Sequence, residues 1–104
     1  MKHKDVLRSR ERLARELPPA SEIVRGSLLR RTIRHRSGCP KCERGEGHPV
    51  WVLNIGYPGG KTKQISLNAE QRGQVEGWLK NYQDLKTKLE TICELNQKLL
   101  RPEE

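Results

Sequence analysis

Residues 50–67 read VWVLNIGYPGGKTKQISL, and the alternation in this stretch decides the fold. Trp51, Leu53 and Ile55 alternate with Val52 and Asn54, the period of a strand with one face buried. Pro58, Gly59 and Gly60 are a turn signal. Lys63, Ile65 and Leu67 then share one face of a second alternating run. Two such runs around a glycine-rich turn predict a β-hairpin. The segment GYPGGKT imitates a phosphate-binding P-loop but departs from it twice. It has three residues, not four, between its first glycine and the Gly-Lys pair, and an alternating run follows it instead of a helix.

Downstream, Asn68 is placed to cap a helix running to about Leu100. Val75, Trp78, Tyr82, Leu85, Leu89, Ile92, Asn96 and Leu99 recur at alternating spacings of three and four, a heptad seam. Leu79, Leu95 and Leu100 widen the stripe. A helix this long outreaches a short hairpin, so its C-terminal half is expected to pack on the N-terminal helix, on a second chain, or on both. For a dimer, the seam residues are Tyr82, Leu85, Leu89, Ile92, Asn96 and Leu99. Asn96 is the kind of buried polar residue that sets register and strand number. Trp51, Trp78 and Tyr82 are expected in the core and Tyr57, beside the turn, in solvent. Cys93 falls beside the seam and reads as packing or, in a parallel dimer, as a thiol near its mate.

Upstream, residues 23–34 (IVRGSLLRRTIR) suit a strand or a short helix. Ile23, Val24, Thr32 and Ile33 favour strand, and Gly26 weakens helix. As a strand, Leu29, Arg31 and Ile33 share one face, and Leu28, Arg30, Thr32 and Arg34 the other. Residues 3–17 read as a helix with Val6, Leu7, Leu13, Ala14 and Leu17 on a loose apolar stripe among arginines. Pro18 and Pro19 end it.

Between the first strand and the hairpin lies HRSGCPKCERGEGH, residues 35–48. His35, Cys39, Cys42 and His48 form H-x3-C-x2-C-x5-H, four thiolate or imidazole donors of the kind a tetrahedral zinc ion takes. Cys39 and Cys42 are the core of that set, because the C-x2-C spacing aims two sulfurs from one turn. Arg34, Arg36, Lys41 and Arg44 favour thiolate but repel a cation, so the alternative is a polar loop without metal. A redox C-x2-C lacks its βαβ context.

The chain has 104 residues, one small domain with helical extensions, and carries a formal net charge of +8. Residues 1–44 hold thirteen Lys/Arg against five Asp/Glu, and residues 45–104 hold eight of each, so the excess is N-terminal. Such a bias points to a polyanion. The candidate phosphate contacts are Arg25, Arg30, Arg31, Arg34, Arg36, Lys41, Arg44, Lys61 and Lys63. With 33% hydrophobic residues and no Phe, a deep apolar substrate pocket is not expected. The N-terminus has a basic start without an apolar core behind it, which argues against a secretory signal, and no apolar run suits a membrane span. Three cysteines without an export signal suit a reducing cytoplasm. The serines and carboxylates show no catalytic constellation.

EIVRGSLLRR, CPKCERGEGH, WVLNIGYPGGKT and the helix ending CELNQKLL resemble a bacterial family of small domains with an RGSL strand, a Cys-rich loop ending in Gly-x-His, a hairpin and a terminal helix. The likeness covers residues 22–100. The family's loop often has three cysteines; His35 stands where the first would fall, and Cys39 is displaced by one residue. The resemblance implies this fold, no particular activity, and a nucleic-acid or accessory role in bacteria and their mobile elements.

The expected architecture is therefore α+β: a small antiparallel β-sheet with a Cys/His loop, a basic N-terminal helix (residues 1–19) and a long C-terminal helix (68–104) around the sheet segment (20–67). The expected function is non-enzymatic nucleic-acid binding by a homodimer stabilised by Zn2+. The rival is a protein–protein adaptor or inhibitor working through the long helix and the basic face toward an acidic protein.

Overall fold

The computed structural model describes residues 2–33 and 48–103, apart from the side chains of Ile33 and His48. The elements are α1 (His3–Arg15), β1 (Ser27–Ile33), β2 (His48–Gly56), a short 3-10 turn (Pro58–Gly60), β3 (Thr62–Leu67) and α2 (Ala69–Leu99). The strands form one antiparallel sheet in the order β1-β2-β3, so the class is α+β as expected. The chain divides into two compact units, Val24–Leu79 and Met1–Ile23 with Lys80–Glu104, and α2 contributes to both. No helix among the described residues is long and apolar enough to cross a membrane.

In the sheet unit, the hairpin forms where the alternation places it. Tyr57 N–H donates to the Lys61 carbonyl at 2.7 Å, and Gly59 and Gly60 take φ of 83° and 78°, values that favour glycine. Leu28, Leu53 and Ile65 stand side by side across the three strands. Val75 of α2 packs on Leu53 and Ile55, and these three are the buried cluster, with Val24, Leu28, Leu67 and Leu79 around it. Each such side chain removed from water contributes roughly 1.5–3 kcal/mol. Asn68 caps α2: its Oδ1 accepts from Gln71 N–H at 2.7 Å, while Gln71 Oε1 accepts from Asn68 N–H at 3.1 Å. This reciprocal box satisfies two donors at the helix start.

The first strand begins at Ser27, four residues later than Ile23, where the β-branched run opens. Gly26 explains the delay. Its φ of 138° is outside the range of L-residues, and a Cβ there would stand 2.7 Å from the Asn54 carbonyl oxygen and 3.0 Å from Leu53 Cδ1. The chain thus enters the sheet through a bend that only glycine fits, and Val24 N–H donates to the Trp78 carbonyl at 3.3 Å.

In the helical unit, α1 ends at Arg15, two residues before Leu17, whose backbone Pro18 restricts. The contacts run in opposite chain order. His3 N–H donates to Glu103 Oε1 at 2.8 Å, Arg10 Nη1 to Asn96 Oδ1 at 3.2 Å, Lys88 Nζ to the Glu16 carbonyl at 2.9 Å, and Asn81 Nδ2 to the Glu22 carbonyl at 2.9 Å. The N-terminal helix and the second half of α2 therefore pair antiparallel. Val6 and Leu95 are their buried residues.

Gly26→Ala should destabilise the protein by about 2 kcal/mol or more, through strain at a positive φ and the clash with the Asn54 carbonyl. Urea unfolding followed by circular dichroism measures it, and an unchanged midpoint would show that the bend relaxes freely.

Candidate nucleic-acid interface

Two strands and one turn place the described candidate cations. Arg25 precedes β1. Its guanidinium carbon lies 4.9 Å from the Tyr57 ring centroid, and its Nη1 donates to the Gly56 carbonyl at 2.7 Å. The stack and the hydrogen bond hold the guanidinium at the hairpin end, while the rest of its donors stay available. Tyr57 is exposed, as its position beside the turn implies. Lys61 closes the same turn, and Lys63 follows on β3 opposite Ile55.

Arg30 pairs with Trp51 across the ladder and Arg31 with Val50, so the two neighbouring arginines point to opposite faces. Lys63 shares the face of Arg30. All five of these cations are exposed. Among the described residues, no ion pair joins Arg25, Arg30, Arg31, Lys61 or Lys63 to a carboxylate. Arg34, Arg36, Lys41 and Arg44 lie outside the described residues, as do His35, Cys39 and Cys42 of the zinc set. His48 opens β2 opposite Ile33.

Charge is not shared evenly between the units. Val24–Leu79 holds ten Lys/Arg against four Asp/Glu, whereas the other unit holds eleven against nine. The six-charge excess of the sheet unit makes it the polyanion candidate.

No family model, curated protein or solved structure matches this chain.

Arg72 escapes a reading of the sequence. Its guanidinium lies 4.0 Å from the Trp51 ring centroid, and its Nε meets Glu76 Oε1 at 3.2 Å. Trp51 is thus half-buried beneath a cation, not enclosed by apolar side chains as expected. Nothing local couples residues 51 and 72; the helix laid over the sheet does. Trp78 and Tyr82 are likewise half-buried, and the Lys86 ammonium lies 5.6 Å from the Tyr82 ring centroid.

The seam of α2 also differs in detail from the heptad reading. Leu85, Ile92 and Leu99 are half-buried and Leu95 is buried, but Leu89, at 45% exposure, and Asn96 are exposed. Asn81 and Lys88, on the other flank, bond to backbone carbonyls, and Lys88 meets a carbonyl just past the end of α1, where a cation is favourable. Those two polar bonds select the flank carrying Asn81, Lys88 and Leu95. The flank with Tyr82, Leu89 and Asn96 is left for the Arg10 contact and solvent. Cys93 is a free, exposed thiol, not packing as expected.

Arg72→Ala should lower stability by about 1 kcal/mol by removing the stack on Trp51. It should also move the Trp51 indole N–H resonance, whereas Arg72→Lys should restore part of both effects.

Proposed function

We propose that this protein is a non-enzymatic nucleic-acid-binding accessory protein, dimeric, with a zinc ion at Cys39, Cys42, His48 and His35. The observation that carries the reading is the excess positive charge of the sheet unit together with its five described cations, none joined to a described carboxylate. Lysines and arginines that neutralise phosphates release counterions, so binding gains most where such groups are not already paired. Tyr57, exposed with Arg25 on one face, supplies a ring on which a base can stack. The side chains present set no sequence preference, and the reading covers DNA and RNA alike. Arg34, Arg36, Lys41 and Arg44, outside the described residues, are counted as further phosphate contacts in this proposal.

The dimer part is supported by Leu89, exposed on a flank of α2 that keeps heptad spacing with Tyr82 and Asn96. The same flank suits the rival adaptor role, in which an acidic protein takes the place of the nucleic acid. Light scattering with and without DNA separates the two.

Fluorescence anisotropy with labelled single- and double-stranded oligonucleotides should show binding that weakens steeply between about 50 and 200 mM salt. Replacing Lys61 and Lys63 by glutamate should reduce the slope of log affinity against log salt by about one per lysine. No retention of DNA or RNA at low salt would refute the proposal. Elemental analysis of protein purified without added metal should find about one zinc per chain, lost in Cys39→Ser and Cys42→Ser variants.

A further inference from the structure

β3 is an edge strand, and among the described residues its outer row of backbone N–H and C=O groups has no strand partner. Beside it lies an open apolar groove of about 310 Å³. Leu53, Ile65 and Leu67 line its sheet side, Val75 and Trp78 its helix side, and Gln71 and Gln74 add amides. Ile65 neighbours the buried Leu53 on the same face yet remains 38% exposed. The helix covers Leu53 and Ile55 but leaves the β3 side of that face open. Among the described residues no carboxylate lines the groove, and Lys61 and Lys63 stand exposed at the turn end of β3.

We propose that the edge of β3 and this groove together receive an extended acidic peptide, which adds to the sheet as a fourth strand. An added strand bonds to the free backbone row, and alternate side chains then point into the groove. The groove is at the small end of ligand pockets, sized for a few aliphatic side chains of a peptide whose affinity comes largely from the main chain. Charge selects the occupant. Exposed lysines on an edge deter pairing with another copy of the same strand, since each copy brings the same lysines and the same positive unit. An acidic strand meets them favourably. The inference extends beyond nucleic-acid binding: it shares Lys61 and Lys63 with the proposed phosphate surface and adds the backbone edge of β3 and the apolar groove.

The probe is an acetylated, amidated peptide of alternating glutamate and valine, titrated into isotopically labelled full-length protein. The amide resonances of residues 62–67 should shift saturably, together with the Trp78 indole. A lysine–valine peptide should bind at least about tenfold more weakly, and a Lys61→Glu/Lys63→Glu double variant should reverse that preference. Two further peptides decide the geometry, one N-methylated at every glutamate and one at every valine. In an added strand only one of these sets faces β3, and a shift by one residue would turn the valines out of the groove. One version should therefore lose binding and the other keep it. Loss in both, loss in neither, equal binding of the lysine–valine peptide, or no shift at about 1 mM peptide overturns the proposal. Protection of β3 amides by dimerisation of the free protein also overturns it, with a second copy as the occupant. Ile65→Ser should weaken the glutamate–valine peptide several-fold; should it fail to fold, Gln74→Glu, at an exposed lining position on the helix side, should weaken the same peptide several-fold by repelling its carboxylates, and unchanged affinity in the folded variant overturns the proposal.

Discussion

The sheet unit depends on Val75 packing against Leu53 and Ile55. A three-stranded sheet with short strands cannot bury enough of its own surface, so it needs a helix laid on one face. That single contact sets the line along which α2 crosses the sheet. It places Arg72 over Trp51 on one side of the helix and opens the groove beside Ile65 and Leu67 on the other. The capping box at Asn68 and Gln71 and the hydrogen bond from Val24 to Trp78 hold the two ends of the covering segment.

Two kinds of arginine emerge from this placement. Arg25 and Arg72 lie on aromatic rings, where stacking and hydrogen bonds hold their planar groups. Arg30 and Arg31 stand exposed on opposite faces of β1. A polymer lying on one face meets only part of the charge, whereas the hairpin end gathers Arg25, Tyr57 and Lys61 together. The turn glycines make that gathering possible, because their positive φ values bring the strand ends close.

In the helical unit, polar bonds decide what apolar periodicity leaves open. Leu85, Ile92 and Leu99 belong to either flank of the seam. Asn81 and Lys88 turn their flank toward the N-terminal segment by donating to the Glu22 and Glu16 carbonyls, and the Lys88 ammonium also meets the negative end of the α1 dipole. The more apolar flank, with Tyr82 and Leu89, is consequently the more exposed one at Leu89.

Much of the fold was legible in the sequence alone. The strict alternation around Pro58-Gly59-Gly60, the heptad spacing after Asn68 and the prolines after Leu17 are local signals, set by the periods of strand and helix and by the missing proline donor. They determined the two helices and the hairpin, whereas residues 23–34 suited strand and short helix alike until pairing with β2 decided for strand. Of the candidate interface, the sequence determined which residues carry charge. Only the tertiary structure decided which of them point together, that Arg72 covers Trp51, which flank of α2 meets α1, and that Ile65 is left beside an open groove. Those outcomes depend on where a helix crosses a sheet and on which donors reach distant carbonyls. Such long-range geometry leaves no mark at fixed spacing along the chain.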